Sequence, residues 1–256
     1  MNISLKFLVA IILCALLSQS CKKSEDTLVN TNTSKVKTYI EQVTNFSNTV
    51  SDTFHVSYDN TDRIVSLISL SSGYQFLYTY NGTSGYVMEL KKGTHLNIYL
   101  VNFLNSSLLI DSSFQYNDTK DSTTMKFIYN ASKQVVEQKT YSYSLSKGIA
   151  LSRRDTFTYN TEGNVLTHTE LGVNGTTNYT ETYTYTNFAG SNFGYGTPYA
   201  PSMYKKLPAT ISIYYPGSNQ TVVSNFTYVF DSSNRLIKST QINSAGNSLV
   251  KQLEYY

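Results

Sequence analysis

Three histidines (His55, His95 and His168) and seventeen acidic residues are what this chain offers for acid–base or metal chemistry. No two histidines fall at the spacing of a zinc-binding pair such as H-E-x-x-H. His55 alternates with Phe54 and Val56, which puts it on the wetter face of a strand. His95 follows Lys91-Lys92-Gly93-Thr94 at a turn, and His168 lies among threonines on a return strand. All three read as surface histidines. Glu170 and Glu181 flank a hairpin, and Glu181 shares a strand face with Tyr179, Tyr183 and Tyr185. Paired across strands, the two carboxylates could approach the separation of a glycosidase couple, and like charges that close would raise one pKa. The plainer reading is a solvated pair at strand ends. No serine sits in a G-x-S-x-G elbow. The expectation is no catalytic residue, no metal site and no cofactor.

Cysteine use points elsewhere. Lys6 supplies a positive charge, Phe7 to Leu17 form an apolar stretch too short to span a bilayer as a helix, and small residues lead to Cys21. That is the layout of an export signal over residues 1–20. The only other cysteine, Cys14, lies inside it, so the chain beyond has no thiol to spare for a disulfide, nucleophile or metal. Residues 22–37 (KKSEDTLVNTNTSKVK) are polar and aperiodic, which is linker chemistry. Fully extended, they reach at most roughly 55 Å. Residues 21–37 are thus read as a modified N-terminus and tether, and 38–256 as one domain.

The segment 187–208 (NFAGSNFGYGTPYAPSMYKKLP) breaks the rhythm of the rest with glycine and proline turn points between aromatics. Long loops of this kind are often functional. Phe193, Tyr195, Tyr199 and Tyr204 are the candidate ligand-binding residues, since rings beside polar groups stack on sugars or anchor a protein. The alternative is a lid whose rings plug the end of the sheet.

These side chains must be held by strands. Aromatics recur at alternate positions, as in Phe54, Val56, Tyr58; Phe76, Tyr78, Tyr80; Phe114, Tyr116; Tyr141, Tyr143; and Tyr183, Tyr185. Alternate residues line one face of a strand, and helical spacing is nowhere sustained. Four segments share a turn frame, starting at Tyr58, Tyr129, Tyr159 and Phe230. Each has an aromatic, then Asp or Asn, two small or polar residues, a turn residue, a polar residue and two aliphatics. The Asp or Asn bonds to backbone two residues on, and the fifth position suits a left-handed backbone. Asp62, Gly163 and Asn234 accept that; Lys133 should be strained there. Asn81-Gly82 and Asn174-Gly175 read as two-residue turns. The fold expected is all-β: an antiparallel meander of repeated hairpins, about twelve to fourteen strands, strongly curved or barrel-like.

Ser18-Gln19-Ser20-Cys21 resembles the lipobox of Gram-negative lipoproteins, with Ser18 where leucine is usual. That likeness implies cleavage before Cys21 and acylation of its thiol and amine, which would anchor the chain stably. Glu25-Asp26 resembles the signals that send some lipoproteins to the outer cell surface. The turn frame resembles the tyrosine-aspartate repeats of Rhs-type surface proteins. With the lipobox and the length, it also resembles a group of Bacteroides-type lipoproteins described as porin-like in fold.

Composition excludes some partners. Lys and Arg number 20 against 17 Asp and Glu, with no long cationic run, so the dense basic stripe that nucleic acid requires is missing. The function expected is a non-enzymatic binding or structural module, lipid-anchored at the outer membrane on its periplasmic or cell-surface face. Its partner would be a glycan or another envelope protein. The alternatives are a polysaccharide- or lipid-acting enzyme, or a small outer-membrane barrel. The Thr, Ser and Asn between the aromatics, as in Thr180, Thr182, Thr184 and Thr186, are unlike a lipid-facing surface. Tyr256 resembles the closing aromatic of such barrels, whereas Glu254 stands where an apolar residue is usual.

Overall fold

The computed structural model describes residues 35–45, 48–117, 121–144, 148–189 and 204–256. The export segment, Cys21, most of the tether, and Phe193, Tyr195 and Tyr199 lie outside the described residues. Sixteen strands follow in chain order. The first half comprises β1 (Val36–Asn45), β2 (Asn48–Tyr58), β3 (Ile64–Ser69), β4 (Tyr74–Asn81), β5 (Gly85–Lys92), β6 (His95–Leu104), β7 (Ile110–Asn117) and β8 (Ser122–Tyr129). The second comprises β9 (Val135–Ser144), β10 (Gly148–Tyr159), β11 (Val165–Gly172), β12 (Thr177–Ala189), β13 (Lys206–Tyr215), β14 (Gln220–Phe230), β15 (Leu236–Asn243) and β16 (Ser248–Tyr255). Every strand pairs antiparallel with its sequence neighbours, and β1 pairs with β16, so the sheet closes into a barrel with no free edge. The all-β meander expected from the alternation is present in its closed form. It holds more strands than the twelve to fourteen expected, because β3 to β5 are only six to eight residues long.

Cross-strand partners share a face, so the interior can be traced around the ring. Tyr39 partners Phe54, Val56 partners Leu67, Leu67 partners Phe76, Phe76 partners Leu90, and Leu90 partners Ile98. All are buried and belong to one apolar cluster that runs from β15 and β16 through β1 to the start of β7, where Tyr39 stacks on Phe54 at 5.7 Å between ring centres. From β8 to β15 the same interior face turns polar, with Gln138, Thr140, Asp155, Ser224 and Ser239 buried. The outer face carries threonine pairs such as Thr158–Thr167 and Thr184–Thr210, and ion pairs such as Arg154–Glu137 at 2.6 Å. Phe114, Tyr116, Tyr141 and Tyr143 were expected to line up with the other aromatics. They stand on the outer face instead, because Ser113, Gln115, Thr140 and Ser142 take the inner one. Alternation gives two faces without saying which is inside, and in a polar sector the aromatic face need not be the buried one.

The repeated turn frame forms as expected. In the turn at 59–63, the Asp59 amide donates to the Arg63 carbonyl, and the Asp59 carboxylate accepts from the amides of Thr61 and Arg63. Asn130, Asn160 and Asp231 each accept the backbone amide four residues on in the same way. The predicted left-handed residues have φ of 65° at Asp62, 61° at Lys133, 85° at Gly163 and 58° at Asn234. A fifth copy, Leu104-Asn105 to Leu109, escaped the sequence reading because Leu104 replaces the aromatic and Leu108 occupies the left-handed position. Two expected tight turns are longer. Asn81 partners Gly85 around three residues, and Gly175 is the left-handed member of a turn closed by the Gly172 amide on the Thr176 carbonyl.

The end of the barrel at which odd strands begin and even strands finish is tied by tyrosines. Bulges shift the register at Val36, Ile64, Ile110, Val135, Val165, Pro208 and Leu236. The carbonyl of each of these residues accepts a hydroxyl from a tyrosine near the end of the neighbouring strand. The donors are Tyr58, Tyr80, Tyr129, Tyr159, Tyr185, Tyr228 and Tyr255, in that order. A bulge disrupts the ladder locally, and the hydroxyl satisfies the carbonyl so released. β5 is the exception on both counts. It begins in register at Gly85 without a bulge, and β6 ends in Leu104 rather than tyrosine. Gly85 packs so closely that a Cβ there would lie 2.0 Å from the Asn102 carbonyl oxygen.

Two variants test this belt and its turns. Tyr159→Phe leaves the Val135 carbonyl without its hydroxyl and should lower unfolding free energy by about 1–3 kcal/mol in urea titration. Lys133→Gly relieves the left-handed strain and should raise it by about 1 kcal/mol.

Candidate functional site

The polar sector of the interior converges on β10, β11 and β12. The pleat places Arg153, Asp155 and Phe157 on one face of β10, opposite Gly172, Glu170 and His168 of β11. Tyr179 and Glu181 of β12 then stand across from Glu170 and His168. His168 bridges two carboxylates, with Nε2 2.9 Å from Asp155 Oδ1 and Nδ1 3.0 Å from Glu181 Oε2. Asp155 accepts the Arg153 Nε proton at 3.0 Å through its other oxygen, and Arg153 reaches on to Glu170 at 3.2 Å. The Tyr183 hydroxyl donates to Glu181, and Asn178 Nδ2 donates to Glu170 at 2.9 Å. Phe157 stacks on the imidazole at 4.7 Å and 9°, and Tyr179 meets it edge-on at 5.5 Å.

The electrostatics follow from this geometry. Burial alone would push His168 down, but hydrogen bonds and charge from Asp155 and Glu181 outweigh it and raise its pKa to about 9. Desolvation likewise opposes the charge on Arg153, and Asp155 and Glu170 hold it in place, raising its pKa. An imidazolium with both nitrogens donating has no lone pair to act as a general base at neutral pH. Three carboxylates face two cations, so the cluster as a whole is negative. Tyr179 and Tyr183 are pushed up first by burial, then by the neighbouring carboxylates for Tyr179 and by Tyr204 and Glu181 for Tyr183.

The cluster grades along the barrel axis. His168 and Asp155 lie at mid-height and are nearly buried, at 13% and 4% side-chain exposure. Towards the end opposite the tyrosine belt, Arg153, Tyr179 and Tyr215 are reached by solvent, with Tyr179 and Tyr215 6.0 Å apart. Towards the belt, the Tyr204 ring lies 5.7 Å from Tyr183 and 6.2 Å from Tyr185. A further carboxylate near the solvent-reached end, Asp52, accepts hydroxyls from Ser69, Ser71 and Ser72. These bonds outweigh its burial and lower its pKa.

Several sequence expectations change here. His55 and His95 are exposed, as read. His168 is not a surface histidine, because its strand pairs it with Phe157 and Glu181 on the inner face. Glu170 and Glu181 are not a solvated strand-end pair; each is bound to a cation in the interior, at 15% and 18% exposure. Of the candidate ligand-binding residues, Tyr204 packs on interior tyrosines, while Phe193, Tyr195 and Tyr199 lie outside the described residues. Arg153 and Asp155 went unread, although Asp155 stands in phase with Phe157 and Tyr159. No group of three or more His, Cys, Asp or Glu suited to hold a metal occurs among the described residues.

The raised His168 pKa links stability to pH. Its contribution is fully present below the unfolded value of about 6.5 and drains away as pH rises through about 9. Unfolding free energy measured across that window should fall in the parent and stay flat by comparison in His168→Gln. Asp155→Asn takes one of its two carboxylate partners from the nearly buried His168 and from the solvent-reached Arg153, and should cost about 3 kcal/mol.

No family model matches the chain, and no curated protein matches it in sequence. Two solved structures share its architecture. One is a porin-like protein from Bacteroides uniformis ATCC 8492, with a TM-score of 0.62 and 11% identity, covering 86% of this chain and 98% of that one. The other is a porin-like protein from Bacteroides vulgatus ATCC 8482, with a TM-score of 0.58 and 9% identity over 87% and 99% of the two chains. The chain is therefore similar in fold to Bacteroides porin-like barrels.

Proposed function

We propose that this protein is a non-enzymatic binding module of the cell envelope: a barrel standing in water, held at the outer membrane by a lipid on Cys21, with a glycan as its ligand. The observation that carries this reading is the direction in which the barrel faces. The apolar cluster around Tyr39, Phe54, Val56, Phe76 and Leu90 points inward, while charged groups such as Glu89, Lys91, Lys126, Arg154 and Lys238 stand on outer strand faces around the ring, beside the exposed rings of β6 to β10 as well as away from them. A bilayer-spanning barrel has the reverse arrangement, and each Lys or Arg facing lipid at mid-depth costs about 2–4 kcal/mol. Attachment then falls to the acylated N-terminus, which the lipobox-like Ser18 to Cys21 supports. The porin-like neighbours fit an envelope setting.

The wall from His168 to Tyr215 supports the binding role. Tyr179 and Tyr215 offer ring faces and edges, with Arg153, Glu170 and Asn178 beside them as hydrogen-bonding groups. Rings next to planar polar groups match the apolar faces and hydroxyls of a sugar. In the ionic cluster behind them each cation is held between two carboxylates, an arrangement that fixes the wall rather than turning over substrate.

Two measurements test the proposal. Detergent phase separation of the full chain should move the protein to the aqueous phase on Cys21→Ser; retention in detergent would favour a spanning barrel. On an array of envelope polysaccharides, Tyr179→Ala and Tyr215→Ala should each weaken binding about tenfold, in line with the loss of a buried aromatic contact. An array that returns no binding to the parent removes the glycan.

A further inference from the structure

One sector of the outer wall departs from the threonine-rich pattern. On β6 to β10 the cross-strand rows can be read outward from the end opposite the tyrosine belt. The first runs Tyr99, Tyr116, Ser122, Tyr143, Ile149. The second runs Val101, Phe114, Thr124, Tyr141. The third runs Phe103, Ser112, Lys126, Lys139, Arg154. These are large apolar side chains set out in water: Phe103 is 50% exposed, Phe114 39%, Tyr143 40% and the aliphatic Ile149 71%. Directly beside them stand three cations whose Cα positions are opposite one another on adjacent strands. Like charges so placed destabilise a sheet. Glu137 is the carboxylate among them, 2.6 Å from Arg154 and 3.5 Å from Lys139, and Lys126 is exposed. The row keeps a positive excess that folding does not require.

We infer that this sector is a docking surface for an anionic bilayer. Three features select that occupant. The outer wall of a closed barrel is convex, so it cannot enclose a sugar, but it can lie against a broad surface. Tyrosine and phenylalanine rows flanked by Lys and Arg are the chemistry of a membrane interface, where rings sit among head groups and cations meet phosphates. The aromatic rows and the cation row are separate, side by side, as an interface divided into an apolar boundary and a charged layer demands. Docking does not depend on acylation of Cys21, although the proposed anchor would bring this wall within reach of lipid.

Vesicle co-sedimentation tests the inference on the unlipidated chain from residue 21 onward carrying Cys21→Ser, which retains the whole ladder from Val36 to Tyr255. The probes are vesicles of equal parts phosphatidylglycerol and phosphatidylcholine, and vesicles of phosphatidylcholine alone. Binding should occur to the first, weaken with salt and be slight to the second. Lys126→Gln and Lys139→Gln should each weaken it about fivefold, the effect of one cation near an anionic surface. Phe103→Ser should weaken it as well, while Lys238→Gln on the far wall should leave it unchanged. Equal binding to both vesicles, none to either, or an equal effect of Lys238→Gln would overturn the assignment. Separately, fatty-acid labelling of the full chain reports on Cys21: labelling without vesicle binding refutes the docking wall alone, and vesicle binding without labelling refutes the anchor alone.

Discussion

Seven tyrosine hydroxyls close one end of this barrel by bonding carbonyls that bulges have taken out of the ladder. The rest of the architecture depends on that arrangement. A closed sheet must bend at every strand, and a bulge provides the bend by adding local twist while freeing a carbonyl from its ladder position. A carbonyl buried there without a donor would cost about as much as a lost hydrogen bond. Each tyrosine hydroxyl supplies that donor, and the rings of Tyr58, Tyr80, Tyr228 and Tyr255 also pack against the apolar cluster. The one hairpin at this end without a bulge also lacks the tyrosine and uses Gly85 to bring backbones close instead. The two features occur together or not at all.

With one end fixed, the interior divides into a mainly apolar half, where the buried Glu41 accepts the Tyr39 hydroxyl, and a polar half that must satisfy several charges of its own. Arg153, Asp155, His168, Glu170 and Glu181 do this by alternating sign across β10, β11 and β12. Losing His168 would leave Asp155 and Glu181 facing less opposing charge where water scarcely reaches. Such a wall is rigid and polar, and it presents its outermost rings where solvent reaches them, which are the requirements of a recognition surface. The outer face follows a different rule: threonine pairs and ion pairs keep it wettable through much of the ring, and on β6 to β10 rows of rings stand beside a row of cations.

Much of this was legible in the chain. Period-two aromatics made it all-β, because only a pleated strand sends alternate residues to one face. The turn frame located hairpin ends and left-handed positions to the residue, because Asp and Asn side chains bond locally and φ above zero is a local condition. The copy at Leu104 was missed because its hydrophobic and left-handed positions are both filled by leucine, which carries neither signal. Asn81-Gly82 and Asn174-Gly175 showed where chains turn but not how long the loops are, since that depends on the register of the flanking strands.

What the sequence determined, then, was local: strand character, turn chemistry, and the absence of cysteine from residues 22–256. Tertiary structure decided which face looks inward, and with it the fate of the ionisable groups. His168 among threonines reads as a surface residue until pairing sets it against Phe157 and between Asp155 and Glu181. Those partners are 13 residues away on either side in the chain, and no local pattern links them. Closure likewise rests on β1 meeting β16 across the whole length of the domain. A hydroxyl–carbonyl bond or an imidazolium between two carboxylates is a property of register and ring closure, and both are settled only when every strand has found its neighbour.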